Sequence, residues 1–383
     1  MTRHTHSKPI RTLAVILVTV CAVMLSACQP SAQPTAQPTV TPRSDYKLGL
    51  VTNEGGTIND GTFNELAHKG AALVSRDFGI DFAYRQSQEA KDYATFIEAM
   101  IAEGRNIIIT VGYQMTEATL AAAEANPKVF FIGVDYTTDK DLKNFIGLQF
   151  REDQGGFLAG ALAGMMTTSN VVGVVGGIQI PPVERFVNGF TNGAKYVNPA
   201  VKVLSVYTTS FADVKQGQDE ADKMTKEGAD VLFGAGGLTG STAIVRAAAS
   251  GAYVIGVDQD EYRTTFGGGK LSNADKILTS ASKGVDTGVY AAVESILKGT
   301  MTPGTVLLSA ANCGITYAPF HNTEAAVPAE VKTRLENIWR ALAGGTLETG
   351  ANDAAAKAPE PLAAGAQPEV KADAPAMSSC VKN

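Results

Sequence analysis

Two carboxylates that end apolar stretches of the chain are the first candidates for binding chemistry. The tetrapeptide Ile-Gly-Val-Asp occurs at residues 132–135 and again at 255–258, each time after an Ala-rich segment and an aromatic-containing run. In open parallel sheets, ligands bind beyond the carboxyl ends of the strands. We therefore expect Asp135 and Asp258 to face one cleft from two equivalent halves of the chain, although a carboxylate at a strand end can also cap a loop.

A second candidate segment, residues 53–64, follows the first apolar run and precedes a predicted helix. Its glycines permit tight backbone turns, and the side chain of Asp60 or Thr62 can cap the helix. Phe63 is a large aromatic residue in the first turn of that helix, where polar residues are expected. It either offers its ring face to a flat ligand or packs into the core.

The sequence contains no arrangement of residues that indicates catalysis. Beyond the N-terminal signal, His68 and His321 are the only histidines, and neither adjoins a nucleophile motif. The glycines between 234 and 240 miss the dinucleotide-binding spacing by one residue, and residues 267–270 lack the remaining parts of a P-loop. We predict a protein that is not an enzyme and that uses no metal and no cofactor.

The elements that must position these residues alternate between strands and helices. Continuous apolar runs predict strands that are covered on both faces, as in a parallel sheet. The runs form two blocks, the first at 48–52, 81–84, 107–111 and 129–134 and the second at 171–175, 201–207, 231–233 and 253–257. Because the body of roughly 300 residues also exceeds a comfortable single core, we predict two doubly wound α/β domains.

The N-terminus has the pattern of a secretory signal that ends in a lipid-attachment site. Basic residues precede an apolar run at 13–25, which is short for a membrane span of about 20 residues and long enough for a signal. The run ends in Leu-Ser-Ala-Cys, which resembles the bacterial lipobox, so that Cys28 would carry the lipid. Residues 29–45, rich in Pro, Gln and Thr, predict an extended tether. We expect a lipid-anchored protein on the extracytoplasmic face of a cell membrane, either periplasmic or at the cell surface.

The C-terminal residues 350–383 are rich in Ala and Pro and poor in large apolar side chains, which predicts a disordered tail. Of the four cysteines, Cys21 and Cys28 lie in the signal, which leaves Cys313 and Cys380. These two cysteines either pair in an oxidising compartment or remain free thiols.

The charge of the chain excludes one class of partner. The formal net charge is -6 at pH 7, and no cluster of Lys and Arg follows Arg11. Nucleic-acid binding depends on a dense basic face that displaces counterions. We therefore expect no nucleic-acid partner.

Several segments of the body, taken in order, resemble the basic membrane protein family of lipoproteins, which includes purine nucleoside receptors of bacterial ABC importers. The resemblance extends over roughly residues 46–345. The segments that carry it are 55–56 (GG), 59–64 (NDGTFN), 152–160 (EDQGGFLAG), 175–177 (VGG) with Pro182, 186–190 (FVNGF), 211–213 (FAD), 236–240 (GGLTG), 255–260 (IGVDQD) and 279–283 (TSASK).

The resemblance implies a type I periplasmic-binding-protein fold, in which two doubly wound parallel-sheet domains are joined by a hinge and enclose the ligand cleft. We expect an N-terminal domain at 46–150 that receives return segments from about 285–345, and a C-terminal domain at 151–284.

The ligand that the resemblance implies is a nucleoside, with its base between two aromatic rings and its ribose held by charged groups. Phe63 matches the first ring, and for the second we favour Phe186, with Phe211 and Phe233 as alternatives. Asn53 departs from the Asp that is usual in the family, which leaves the preference among bases open. The binding residues implied are Asn53, Asp60, Phe63, Asn64, Gly112, Tyr113, Asp135, Phe186, Gly236, Gly237, Asp258 and Lys283.

The function expected from these features is that of a monomeric receptor that delivers a nucleoside, by preference a purine nucleoside, to the permease and ATPase subunits of an ABC importer. An alternative is a lipoprotein that senses a sugar-like or other small polar molecule and signals to a regulator. A secreted enzyme is the third and least supported class.

Overall fold

The apolar runs of the chain form strands that pair into two sheets. The computed structural model of the protein describes residues 45–352 and 357–380. The strands of the first sheet are all parallel. In the order in which they lie side by side, they are β11 (Gly304–Leu308), β5 (Phe145–Phe150), β4 (Phe130–Val134), β3 (Ile107–Val111), β1 (Lys47–Val51) and β2 (Asp81–Arg85).

The second sheet has the same construction, except that one edge strand is antiparallel to its neighbour. In the order of the sheet, its strands are β12 (Ile315–Tyr317), β10 (Ile277–Lys283), β9 (Tyr253–Asp258), β8 (Val231–Ala235), β6 (Val171–Gly176) and β7 (Lys202–Tyr207). The central strands β3 and β8 are buried along their whole length, which explains their continuous apolar sequences.

Helices cover both sheets. The helices of the first domain are α1 (Phe63–Phe78), α2 (Asp92–Ala102), α3 (Thr116–Ala125) and α8 (Val285–Lys298). Those of the second domain are α4 (Glu152–Met166), α5 (Pro181–Val197), α6 (Val214–Lys226), α7 (Gly237–Ala249) and α9 (Ala329–Gly344). In the part of the chain that the structure describes, no helix is both long and apolar enough to cross a membrane.

The chain passes between the domains after β5, again after β10 and a last time after β11. The sequence analysis expected return segments to the first domain from about 285–345, and the structure places only part of that range there. Only α8 and β11 return there. β12 pairs with β10 in the second sheet, and Trp339 of α9 donates a hydrogen bond to the carbonyl oxygen of Ile315 at 2.9 Å, which holds α9 in the second domain.

The expectation of a disordered tail also differs from the structure. Residues 357–380 lie along the second domain, where the Leu362 amide donates to the carbonyl of Tyr196 at 2.7 Å and the Lys371 ammonium donates to that of Gly344 at 2.6 Å. A disulfide joins Cys380 to Cys313. An Ala- and Pro-rich segment cannot form a core of its own, but hydrogen bonds to the body and a covalent bond hold it in place. Cys28, the signal and the tether up to residue 44 lie outside the described residues.

We predict that Cys380→Ser lowers the free energy of unfolding by about 2 to 4 kcal/mol, because the disulfide closes a loop with a sequence separation of 67 residues. Denaturant unfolding under oxidising conditions measures this loss. Ser379→Ala, at the adjacent exposed position, is the matched control and should change stability by less than about 0.5 kcal/mol. A Cys380→Ser protein as stable as the wild type would mean that the tail does not fasten to the body.

Candidate functional site

The loops at the carboxyl ends of the two sheets enclose a cavity of about 190 Å³ between the domains. Most of the residues that the sequence singled out meet there. Those that line it are Asn53, Asp60, Phe63, Asn64, Gly112, Tyr113, Asp135, Phe186, Gly237, Asp258 and Lys283. The neighbours that sequence reasoning did not single out include Glu54, Thr57, Asn59, Gln114, Ile180, Val183 and Leu238.

Gly236 is the predicted site residue that does not line the cavity. It directly precedes α7, and a Cβ atom at this position would lie 2.8 Å from the backbone nitrogen of Gly177. Its lack of a side chain therefore allows two backbone segments of the second domain to approach each other. The role of Gly236 is close packing behind the cavity.

Asp135 and Asp258 occupy equivalent places at the ends of β4 and β9. Both have the left-handed backbone conformation, with φ of 76° and 66°, which is uncommon for residues other than glycine. Both side chains line the cavity, and each residue is only 8% exposed. Backbone strain of this kind persists where the surrounding structure enforces it, and it is concentrated at functional sites.

Lys283, the last residue of β10, is the centre of a buried ionic network. Its ammonium lies 2.7 Å from Asp135 Oδ1 and 2.9 Å from Glu152 Oε1, and the other oxygen of Glu152 accepts from Arg185 Nε at 2.7 Å. Burial opposes the charged ammonium, but the carboxylates of Asp135 and Glu152 outweigh it and raise the pKa of Lys283. Sequence reasoning did not assign roles to Glu152 and Arg185, although Glu152 lies in a segment that carries the family resemblance and Arg185 directly precedes another.

Asp258 differs from Asp135 because no described residue donates a hydrogen bond to its carboxylate. Burial raises the pKa of Asp258 to about 7, with a further contribution from the negative charges of Asp135 and Asp60, and Lys283 offsets only part of this effect. A buried carboxylate without a donor is costly. Asp258 therefore lines the cavity without a hydrogen-bond donor from the described residues.

Aromatic rings lie around the Lys283 ammonium. The ring centroids of Phe63 and Phe186 are 5.0 Å and 5.8 Å from Nζ, distances at which a cation is attracted to a ring face. Phe63 belongs to the first domain and Phe186 to the second. Phe211 also lines the cavity, whereas Phe233 is fully buried and supports Phe186 from behind, with ring centroids 5.9 Å apart.

The position of Phe186 is fixed by unusually close packing of α5 against α4. A Cβ atom at Gly156 would lie 2.1 Å from the carbonyl oxygen of Phe186, and one at Gly193 would lie 2.0 Å from that of Phe157. Only glycine allows the two helix backbones to approach this closely. The glycines of the EDQGGFLAG segment thus set where the Phe186 ring enters the cavity.

Asp60 has a structural role at the start of α1. Its carboxylate accepts hydrogen bonds from the backbone amides of Thr62 at 2.9 Å, Asn64 at 3.0 Å and Glu65 at 3.1 Å, and from the side-chain amide of Asn64 at 2.8 Å. Thr62 occupies the cap position, but its side chain makes no capping bond. Asp60 therefore lines the cavity with its acceptor capacity already used to hold Phe63 and Asn64.

Two amide oxygens beside Asp60 are buried and have no partner among the described residues. They are the side-chain oxygens of Asn53 and Asn64, and both amides pack against Gly56, where a Cβ would be only 2.4 to 2.5 Å from them. Buried acceptors without a donor are rare in folded proteins. Both residues line the cavity, and each has an unsatisfied side-chain oxygen.

Contacts across the mouth of the cavity hold the domains together. Lys69 of α1 donates to Gln259 of the second domain at 2.7 Å, and Thr264 donates to the carbonyl oxygen of Gly61 at 2.9 Å. Together with the ion pair between Lys283 and Asp135, these bonds describe a closed arrangement of the two domains.

Known proteins resemble this chain in sequence and in fold. Residues 47–316 match the family model described as ABC transporter substrate-binding protein PnrA-like. The chain is 34% identical over 292 residues to the CD4+ T-cell-stimulating antigen of Listeria monocytogenes, covering 72% of this chain and 81% of that protein. It is 32% identical over 278 residues to an ABC transporter nucleoside-binding protein of Lactococcus lactis, covering 69% and 79% respectively.

A solved ABC transporter solute-binding protein from Aeropyrum pernix K1 has the same fold. It matches with a TM-score of 0.70 at 23% sequence identity, covering 79% of this chain and 92% of that chain. Together with the two sheets described above, this match confirms the predicted fold class of two parallel-sheet α/β domains.

We predict that Asp258→Asn stabilises the ligand-free protein at high pH. The pKa of Asp258 is raised from 3.8 to about 7, so the folded state binds a proton more tightly than the unfolded state, and wild-type stability falls as the pH rises through that range. An amide carries no such dependence. The gain of the variant over the wild type should be near zero at about pH 4 and reach at most about 4 kcal/mol above pH 7.

Denaturant unfolding at a series of pH values measures this difference. Asp275→Asn removes an equally charged but exposed side chain from the same domain and should show no such trend. A constant difference between Asp258→Asn and wild type across the range would contradict the assignment of Asp258 as an unpaired buried carboxylate.

Proposed function

The chain belongs to the PnrA-like family of ABC transporter substrate-binding proteins, and we propose that it captures a purine nucleoside outside the cell membrane and delivers it to an ABC importer. The family consists of substrate-binding proteins and not of enzymes, which confirms the prediction that the protein is not catalytic. The relative from Lactococcus lactis, named as nucleoside-binding, supports a nucleoside as the ligand.

The observation that carries this proposal is the pair of rings, Phe63 and Phe186, that the two domains direct at one cavity. A flat purine is the kind of ligand that such rings bind, and stacking on one ring is worth about 1 to 3 kcal/mol per base. Domain closure would complete the binding site, because each domain supplies one ring.

The polar groups of the cavity complement the remaining parts of a nucleoside. The carboxylate of Asp258 can accept hydrogen bonds from ribose hydroxyls, and bonds of this kind to a charged group are worth about 1.5 to 3 kcal/mol. The free amide oxygens of Asn53 and Asn64 can accept from an amino group or a ring N–H of a base. Two rings and these acceptors are enough for micromolar binding after the costs of association.

We predict that Phe63→Ala weakens nucleoside binding by about 5- to 150-fold, which corresponds to the loss of one stacking contact. Because the Phe63 ring is only partly buried, the variant should keep most of its folding stability, unlike a core Phe→Ala change that costs about 3 to 5 kcal/mol. Calorimetric titration with adenosine, guanosine and inosine measures the affinity, and denaturant unfolding measures the stability.

Phe82→Ala is the matched control for this experiment. Phe82 is also a partly buried aromatic residue of the first domain, but it packs against His68 away from the cavity. Its loss should leave nucleoside affinity unchanged. If the wild-type protein binds none of the purine nucleosides, or if Phe63→Ala binds them as tightly as wild type, stacking on Phe63 is ruled out.

A receptor that serves an importer works at the outer face of the membrane, and we propose that a lipid on Cys28 anchors it there. The proposal rests on the apolar run and the Leu-Ser-Ala-Cys segment of the sequence. Cys28→Ser should abolish incorporation of a radiolabelled fatty acid during expression, because the thiol that receives the lipid is absent. Cys21→Ser, within the apolar run, is the control that should still be labelled. Labelling of the Cys28→Ser protein would place the anchor elsewhere.

A further inference from the structure

The two Ile-Gly-Val-Asp segments are followed by residues that behave differently. The residue after the aspartate is Tyr136 in the first domain and Gln259 in the second. Tyr136 is buried within its own domain, where a Cβ atom at Gly133 would lie 2.5 Å from its ring. The first domain therefore uses this position for internal packing.

In the second domain, Glu261 occupies the corresponding space. A Cβ atom at Gly256, the glycine of the second repeat, would lie 2.8 Å from the Cβ atom of Glu261. The buried Glu261 carboxylate accepts hydrogen bonds from the Val257 amide at 2.9 Å and from the Thr265 hydroxyl at 2.5 Å. Glu261 thus ties the turn after β9 to its own sheet and leaves the Gln259 side chain outside that packing.

The Gln259 side chain reaches helix α1 of the first domain. Its oxygen accepts a hydrogen bond from the Lys69 ammonium at 2.7 Å, and its nitrogen donates to the backbone carbonyl of Thr62 at 3.4 Å. Thr62 occupies the cap position of α1, and Lys69 lies about two turns further along the same face. A side-chain amide fits these two partners because it carries a donor and an acceptor together.

Both partners of Gln259 have a second bond within the first domain. Lys69 is paired with Glu65 at 2.7 Å, and the Thr62 carbonyl also accepts from the Leu66 amide at 3.2 Å. Separation of the domains therefore leaves neither partner as a buried polar group without a bond, which would be costly. The contact of Gln259 with α1 can form and break without such a penalty.

We propose that Gln259 is a positioning residue that acts as a latch: it holds the domains closed by joining the turn after β9 to the start of α1, and it thereby sets how slowly a bound ligand leaves. The inference rests on the proposed nucleoside-binding function and extends it to the rate of release. Gln259 follows Asp258, and Thr62 precedes Phe63, so the latch brings cavity-lining residues of both domains together. Gln259 is 8% exposed and is not among the residues that line the cavity.

Gln259→Met tests the latch, because methionine has a similar length and lacks the amide. Surface plasmon resonance gives the association and dissociation rate constants of adenosine, guanosine and inosine. We expect dissociation to be about 5- to 20-fold faster for all three, with association rate constants within about threefold of wild type. The bond from Thr264 to Gly61 remains, so closure is weakened and not abolished. Gln88→Met, at an exposed position of the first domain, should match the wild type.

A double-mutant cycle tests the partner of the latch on the other domain. Lys69→Met removes the donor from a partly exposed side chain, and we expect it to speed dissociation by about threefold. The variant with both substitutions should release nucleosides no faster than Gln259→Met alone, because the bond between the two residues is already lost. Denaturant unfolding verifies that each variant is folded.

Unchanged dissociation in both Gln259→Met and Lys69→Met would overturn the latch. Changes that differ more than about threefold among the three nucleosides would also overturn it, because a latch outside the cavity acts on every bound ligand alike. Dissociation effects that multiply in the double variant would contradict the bond between Gln259 and Lys69. If the wild type binds none of the three nucleosides, the proposed function fails and the inference fails with it.

Discussion

The buried ammonium of Lys283 is the group on which the arrangement of the cleft depends. A cation at 3% exposure is stable only when carboxylates surround it, and Asp135 and Glu152 lie within 2.9 Å. Glu152 in turn holds Arg185, the residue that precedes Phe186. The same ion network therefore fixes the end of β10, the start of α4 and the part of α5 that carries the ring. Removal of any member would leave the buried network with a net charge.

The network is divided unequally between the domains. Asp135 belongs to the first domain, whereas Lys283, Glu152 and Arg185 belong to the second or to its connection with the first. Separation of the domains must therefore break the bond between Lys283 and Asp135, while the bonds through Glu152 can remain. Both separated charges would then gain access to water, which reduces the cost of the open state. Closure reverses this and takes Asp135 out of water.

The sequence predicted the fold class and many of the residues that meet in the cavity, because strand ends and glycine-rich turns leave local patterns. The repeated Ile-Gly-Val-Asp segment located both Asp135 and Asp258 at equivalent strand ends. No local sequence pattern indicates the ion pairs of Glu152, since they join positions that are far apart in the chain. The position of the tail also could not be predicted from the sequence. Its Ala and Pro composition is that of a disordered segment, and its position depends on contacts with a folded domain and on the disulfide to Cys313.

The cavity combines features that disfavour folding with features that favour it. Asp258 has a strained backbone, is buried and lacks a donor, so each of these properties lowers the stability of the ligand-free protein. The unpartnered oxygens of Asn53 and Asn64 add to this cost. In the proposed function, a ligand that supplies donors to these groups would relieve the cost only when the domains are closed around it. Ligand binding and domain closure would thereby be linked through the polar groups that the fold leaves unsatisfied. The position of the Phe186 ring does not depend on these polar groups, because the glycine contacts between α4 and α5 hold it.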